Sequence, residues 1–215
     1  MFCFPSKAKN LQFAASTIPS PASLSNYNKP MSGRVCPWWL GYLLASPIRR
    51  LWQDPGKIVA PYISEGMIIL EPGPGMGFFT RELARQVGPK GRVIAVDIQP
   101  KMIEGLKRRV AKAGFADRID ARVATKDSLG LQDVAGKVDF TLAFAMVHEM
   151  PDSQRFFTEA AQASKSGAKL LLAEPSGHVS PEKFEKELQE ATGSGFSLVN
   201  RPTIGHSQTA LLKKK

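Results

Sequence analysis

The chain has 215 residues, of which 43% are hydrophobic and 22% are charged, a composition typical of a folded globular protein. No apolar run reaches the roughly 18 residues needed to span a bilayer. With only Cys3 and Cys36, neither a disulfide framework nor a structural zinc cluster is expected, and a cytoplasmic location is predicted. The net charge of +10 would suit nucleic acid, but no basic stripe is interleaved with aromatic residues, which argues against that partner.

The first 30 residues differ in composition from the rest of the chain. They are rich in Ser and Pro, they contain no arginine, and no acidic residue precedes Asp54. The absence of arginine argues against an organelle transit segment. A start of translation at Met31, which would make residues 1–30 an upstream extension, stays open. In either case we expect residues 1–30 to form a disordered leader.

Residues 31–65 are predicted to form an N-terminal helical cap. Trp38, Trp39 and Tyr42 bury much apolar area when they pack, so this segment should dock on the rest of the chain. We expect these three side chains to form a lid over the substrate at the open end of the sheet. Packing along a sheet edge stays open, as does peripheral contact with an anionic membrane through Arg49 and Arg50.

From Gly66 to residue 215, strand and helix patterns alternate. Strands are predicted at 67–71, 92–97, 119–124, 138–145, 169–173, about 196–201 and 206–213. Helices are predicted at 78–87, 102–113, about 153–164 and about 181–193. This alternation predicts an α/β fold with a doubly wound, mostly parallel sheet of seven strands and helices on both faces. The short link at 202–205 cannot hold a helix, so the last two strands should form an antiparallel hairpin.

A glycine-rich turn follows the first predicted strand. It carries Glu71 and then Gly73, Gly75 and Gly77, and a helix follows. Glycines allow the backbone to approach a ligand closely, and this end of an open α/β sheet is where ligands bind. Phe78 occupies the position where a dinucleotide-binding fingerprint needs a small residue. This argues against a nicotinamide-dependent oxidoreductase.

An acidic residue followed by G-x-G-x-G resembles the class I S-adenosylmethionine-dependent methyltransferases, over roughly residues 56–213. The resemblance implies a Rossmann-like fold with S-adenosylmethionine as cofactor. Glu71 and the three glycines would hold the amino-acid end of the cofactor, whose ammonium suits a carboxylate. Further cofactor contacts that the resemblance implies are Asp97 to the ribose, Ile98 to the adenine, Asp127 and Ser128 to the adenine amino group, and Ala145 after the fourth strand.

The segment 145–150 occupies the place where that family builds its methyl-transfer site. It lacks the Asn/Asp-Pro-Pro-Tyr/Phe tetrapeptide of enzymes that methylate DNA bases, so it is more similar to the branch that acts on quinone precursors, lipids and metalloids. His148 is a candidate general base and Glu149 a second candidate. The alternatives are a packing or capping histidine and a glutamate paired with a surface cation. Glu174 and His178 are expected at the same rim.

The sequence thus predicts a small-molecule methyltransferase that works by in-line methyl transfer. No metal is expected, and a metalloid acceptor is disfavoured because only Cys36 lies near the predicted site. His206 is expected to be structural. An RNA-binding or RNA-methylating protein that uses its basic surface remains the alternative.

Overall fold

The structure is a computed structural model and describes residues 53–215. The predicted leader lies outside the described residues, and so does most of the predicted cap, including Trp38, Trp39 and Tyr42. The boundaries proposed for these two segments stay predictions.

Five helices and seven strands alternate along the described part of the chain. The helices are α1 (Pro55–Val59), α2 (Thr80–Gln86), α3 (Pro100–Lys112), α4 (Ser153–Ala163) and α5 (Pro181–Gly193). The strands are β1 (Ile68–Pro72), β2 (Arg92–Asp97), β3 (Ile119–Val123), β4 (Val138–Phe144), β5 (Ser164–Pro175), β6 (Phe196–Asn200) and β7 (Ser207–Lys214).

All seven strands form one sheet in the order β3-β2-β1-β4-β5-β7-β6. The pairs among β1 to β5 are parallel, whereas β7 runs antiparallel to both β5 and β6. The predicted Rossmann-like sheet with a terminal antiparallel hairpin is therefore confirmed. Strand order reverses at β1 and β4, the point at which open α/β sheets bind ligands beyond the carboxyl ends of the strands.

Several element boundaries differ from the sequence prediction by one or two residues, and the starts of α2 and β5 differ for identifiable reasons. Helix α2 begins at Thr80 and not at residue 78, because the turn continues through Phe78 and Phe79 after Gly77 adopts a φ of +87°. Strand β5 begins at Ser164, directly after α4, because Ser164 pairs with Val138 of β4. The polar residues at the start of β5 hide this extension from a hydrophobicity pattern.

Caps fix where the helices begin. The Asp152 carboxylate accepts a hydrogen bond from the Arg155 N–H (2.8 Å) at the start of α4. The Ser180 hydroxyl accepts one from the Lys183 N–H (3.3 Å) at the start of α5, where proline occupies the first helical position. Such caps satisfy backbone donors that the first helical turn leaves free.

The core lies on both faces of the sheet. Successive strand residues point to opposite faces, so Leu70 packs with α4 and α5 while Ile69 packs with α1 and α2. Leu170, Leu171 and Leu172 of β5 are all fully buried, which fits a strand covered on both faces. Because β1, β2, β4 and β5 are parallel neighbours, their carboxyl ends lie at one edge of the sheet. No helix among residues 53–215 is long and apolar enough to cross a membrane.

Candidate active site

The glycine turn after β1 combines close packing with open space. Gly73, Gly75 and Gly77 all have positive φ, at +64°, +54° and +87°. A Cβ on Gly73 would lie 2.9 Å from the Cβ of Met146, and one on Gly77 would lie 2.6 Å from Cδ1 of Leu106. A Cβ on Gly75 would meet nothing within 4 Å. Packing thus requires two of these glycines, while the third has open space beside it that a ligand could occupy.

Glu71 lies beneath this turn as a buried carboxylate. The residue is 3% exposed, and its Oε2 has no hydrogen-bond partner among the described residues. Burial raises the pKa of Glu71 to about 8, although hydrogen bonding from Thr80 acts in the opposite direction. A buried carboxylate oxygen without a donor costs free energy, which a cationic donor would offset.

Asp97 ends β2 beside the same turn. Its Oδ1 accepts a hydrogen bond from the Gln99 N–H (2.8 Å), and the Gly75 backbone donates to the same carboxylate. Burial raises the pKa of Asp97 to about 6, and the negative charge of Glu149 adds to that increase. The structure therefore brings the glycine turn, Asp97 and Glu149 together, with half-buried Ile98 next in the chain.

The loop after β3 carries Asp127 and Ser128. The first backbone N–H after β3 donates to the carbonyl of Asp97 (2.9 Å), so the loop starts beside that residue. The Asp127 side chain is 90% exposed and lies 3.4 Å from the Arg155 guanidinium. The Ser128 hydroxyl donates to the Glu159 carboxylate (3.1 Å). These contacts hold the loop against α4, and the adenine contact stays a prediction.

The segment after β4 is held in a strained backbone conformation. Ala145 has a φ of +54°, a left-handed conformation that costs a non-glycine residue roughly 1–2 kcal/mol. Its N–H donates to the carbonyl of Ala173 at the end of β5 (2.7 Å). The chain then passes Met146, which packs on Gly73, and forms a short turn at Val147–Glu149. Strain of this kind is concentrated at functional sites.

His148 and Glu174 form a carboxylate–imidazole pair at this turn. Nδ1 of His148 hydrogen bonds to Oε2 of fully buried Glu174, whose Oε1 accepts the N–H groups of Val147 (2.8 Å) and Met146 (3.3 Å). The bond to Glu174 raises the pKa of His148 above its ordinary value. Nε2 of the ring lies 4.0 Å from Oε1 of Glu149. A ring held in this way can accept a proton at Nε2.

Helix α5 supplies two further groups that sequence reasoning missed. Lys183 donates from Nζ to the carbonyl of His148 (3.1 Å), and Glu187 is 3% exposed with both carboxylate oxygens buried. Glu187 lies three residues after buried Phe184, on the inward face of α5, and this helical spacing was the available signal. The exposed His178 ring lies 6.2 Å from the His148 ring, centroid to centroid.

Two further expectations concern a metal and His206. Within residues 53–215, no group of three or more His, Cys, Asp or Glu side chains is placed to hold a metal ion. His206 is exposed, and its carbonyl accepts a hydrogen bond from the Ser176 N–H (3.0 Å).

Residues 63–213 match the methyltransferase domain family. An arsenite methyltransferase of Halobacterium salinarum is 29% identical over 112 residues, which cover 52% of this chain and 28% of that protein. A ubiquinone/menaquinone biosynthesis C-methyltransferase of Hahella chejuensis is 26% identical over 139 residues, 65% of this chain and 55% of that protein. The chain thus spans between about a quarter and about half the length of these relatives.

Solved structures share the fold. A SAM-dependent methyltransferase from Aquifex aeolicus superposes with a TM-score of 0.73 at 23% identity, over 83% of this chain and 98% of that one. A Methanococcus maripaludis protein, assigned as an S-adenosyl-L-methionine-dependent methyltransferase, gives a TM-score of 0.70 at 16% identity, over 86% of this chain and 98% of that one. At these identities the likeness establishes the fold alone.

Proposed function

We propose that this chain, which belongs to the methyltransferase domain family over residues 63–213, transfers a methyl group from S-adenosylmethionine to a small-molecule acceptor. The observation that carries the proposal is the buried Glu71 carboxylate. It lies beside a glycine turn and has an oxygen with no hydrogen-bond partner among the described residues. Family membership and the Rossmann-like sheet support the same conclusion.

The residues present fit this cofactor. The Glu71 carboxylate suits the ammonium of the amino-acid end, because the salt link would offset the cost of burying the carboxylate. Asp97 presents a carboxylate at the end of β2, where it suits two ribose hydroxyls. The space beside the Gly75 Cα is open, since a Cβ there would meet nothing within 4 Å. Ile98, Asp127, Ser128 and Ala145 complete the proposed set of cofactor contacts.

The protein's own part in the reaction is alignment and proton acceptance. When bound, the cofactor supplies a methyl carbon on a sulfonium, a good leaving group for in-line displacement. Holding the acceptor in line can contribute on the order of 7–11 kcal/mol. His148 would take the acceptor's proton at Nε2 while Glu174 holds the ring through Nδ1. Glu149, 4.0 Å from Nε2, is the second candidate for this role.

A small-molecule acceptor is supported by the relatives, which are named for arsenite and for quinone biosynthesis. Charge argues in the same direction. Of the 29 basic residues, six lie within residues 1–52, which contain none of the 19 acidic residues. The 23 basic residues left in 53–215 therefore give a net charge of +4, and RNA is not favoured as the substrate.

Three finer assignments belong to the proposal and rest on sequence alone. We infer that Trp38, Trp39 and Tyr42 cover the acceptor as a lid, because three large aromatic side chains gain stability when they bury their apolar area against the rest of the chain. Peripheral membrane contact through the same segment would suit a lipid or quinone acceptor. A cytoplasmic location is supported by the presence of only two cysteines.

Thermal melting with S-adenosylmethionine, S-adenosylhomocysteine and NAD in separate samples tests the function. A ligand at about 100 times its dissociation constant should add about 2.7 kcal/mol of stability, and we expect this from the two adenosyl ligands only. The Asp97→Ala variant should remain folded, but the adenosyl ligands should no longer raise its melting temperature. Asp117→Ala should keep the shift, because exposed Asp117 precedes β3 at the opposite edge of the sheet. No shift in the parent protein, or a shift with NAD, would overturn the proposal.

A further inference from the structure

Glu187 is a buried acid that the proposed chemistry does not use. It projects from the inward face of α5 between Phe184 and Leu188, and it is 3% exposed. Neither carboxylate oxygen has a hydrogen-bond partner among the described residues. Since buried polar atoms in native proteins are nearly always hydrogen bonded, a buried carboxyl of this kind calls for an explanation.

The groups around Glu187 connect it to the candidate base. Lys183, one turn earlier on α5, donates from Nζ to the carbonyl of His148 (3.1 Å). The charges that act on the Glu187 carboxyl come from Glu174 on β5, from His148 in the turn after β4, and from Lys183 and Glu190 on its own helix. Three elements therefore converge on one partly buried charge cluster.

The titration of Glu187 depends on this cluster. Burial and the negative charge of Glu174 raise the pKa of Glu187 to about 7, while Lys183 and His148 act in the opposite direction. A negative charge on Glu187 must in turn stabilise the imidazolium form of His148, because the coupling between two titrating groups is mutual.

We propose that Glu187 is a positioning residue for His148, and that the charge on its carboxyl sets the pH at which the imidazole becomes free to accept a proton. An uncharged residue at this position, such as glutamine, would let His148 lose its proton at lower pH. Charged Glu187 holds a proton on the ring until higher pH. The catalytic meaning of this coupling rests on the proposed function, but the coupling itself is a property of the protein without cofactor or acceptor.

NMR titration of the histidine rings tests the coupling directly. The chain contains three histidines, so the His148 Cε1–Hε1 signal can be assigned as the one that disappears in His148→Gln. In Glu187→Gln we expect the His148 titration midpoint to fall by roughly one pH unit, the order of magnitude for removing one nearby charge from a partly buried site. Glu185→Gln is the matched control, because two residues along a helix is about 200° around its axis and Glu185 is exposed.

Two results would overturn the proposal. One is an unchanged His148 midpoint in a Glu187→Gln protein that melts cooperatively. The other comes from the parent protein, by ¹³C NMR of the Glu187 carboxyl, and decides the matter even where the variant does not fold. A carboxyl that titrates near 4.3, as an exposed glutamate does, would refute the inference. Neither result bears on the melting shift with S-adenosylmethionine, so failure here and failure of the proposed function can be told apart.

Discussion

Replacing Glu71 with glutamine should change how the stability of the protein depends on pH. The pKa of Glu71 is about 8 in the folded chain, against 4.5 as its ordinary value. Between these values the folded state binds more protons than the unfolded state, so stability falls as pH rises. With about 1.4 kcal/mol for each pKa unit, Glu71 alone should lower the free energy of unfolding by about 3 kcal/mol between pH 5.5 and pH 8.

Urea denaturation of the parent and of Glu71→Gln at both pH values measures this effect. The variant should lose less stability than the parent on going to pH 8, by about 3 kcal/mol. The variant should still lose some stability on going to pH 8, though less than the parent, because the pKa values of Asp97 and Glu187 are also raised, to about 6 and about 7. Exposed Glu104 on α3 offers the control Glu104→Gln, which should behave as the parent does. The same pH dependence in parent and Glu71→Gln would refute the reasoning.

The glycine turn and the His148 pair give two further predictions. Gly73→Ala should destabilise the protein more than Gly114→Ala in urea denaturation, because both have positive φ but only a Cβ at Gly73 meets Met146, an overpacking that typically costs about 1–3 kcal/mol. Equal losses would show that the turn tolerates the side chain. Glu174→Gln should bring the pKa of His148 down towards its ordinary value, since it removes the charge that favours the imidazolium. An unchanged NMR midpoint would contradict this.

Hydrophobic periodicity and turn chemistry were sufficient to predict the sheet. The length of the link at 202–205 predicted the antiparallel hairpin of β6 and β7, and the structure confirms it. Strand β5 was predicted at 169–173 and runs over Ser164–Pro175. The first residues of β5 are polar and show no alternating hydrophobic pattern. They form part of the strand because Ser164 pairs with Val138 of β4.

The candidate cofactor residues could be predicted because they depend on local order in the chain. The turn from Gly73 to Gly77 follows β1, and Asp97 ends β2, so the topology alone places them at one edge of the sheet. Their roles in cofactor binding stay predictions until ligand binding is measured. The contact of Asp127 with Arg155 of α4 is not a local property, and the position of Asp127 after β3 did not indicate it.

The sequence by itself determined which elements form and where the ligand-binding edge lies, since strand and helix periods and glycine conformations are local properties of the chain. Only the tertiary structure decided which acids surround His148. Glu174 is 26 residues away in sequence, and it reaches the imidazole because β4 and β5 are neighbours with Phe144 opposite Ala173. Glu187 joins them because α5 packs its inward face on the same side of the sheet. Strand register and helix packing depend on the whole core, and no local pattern encodes them.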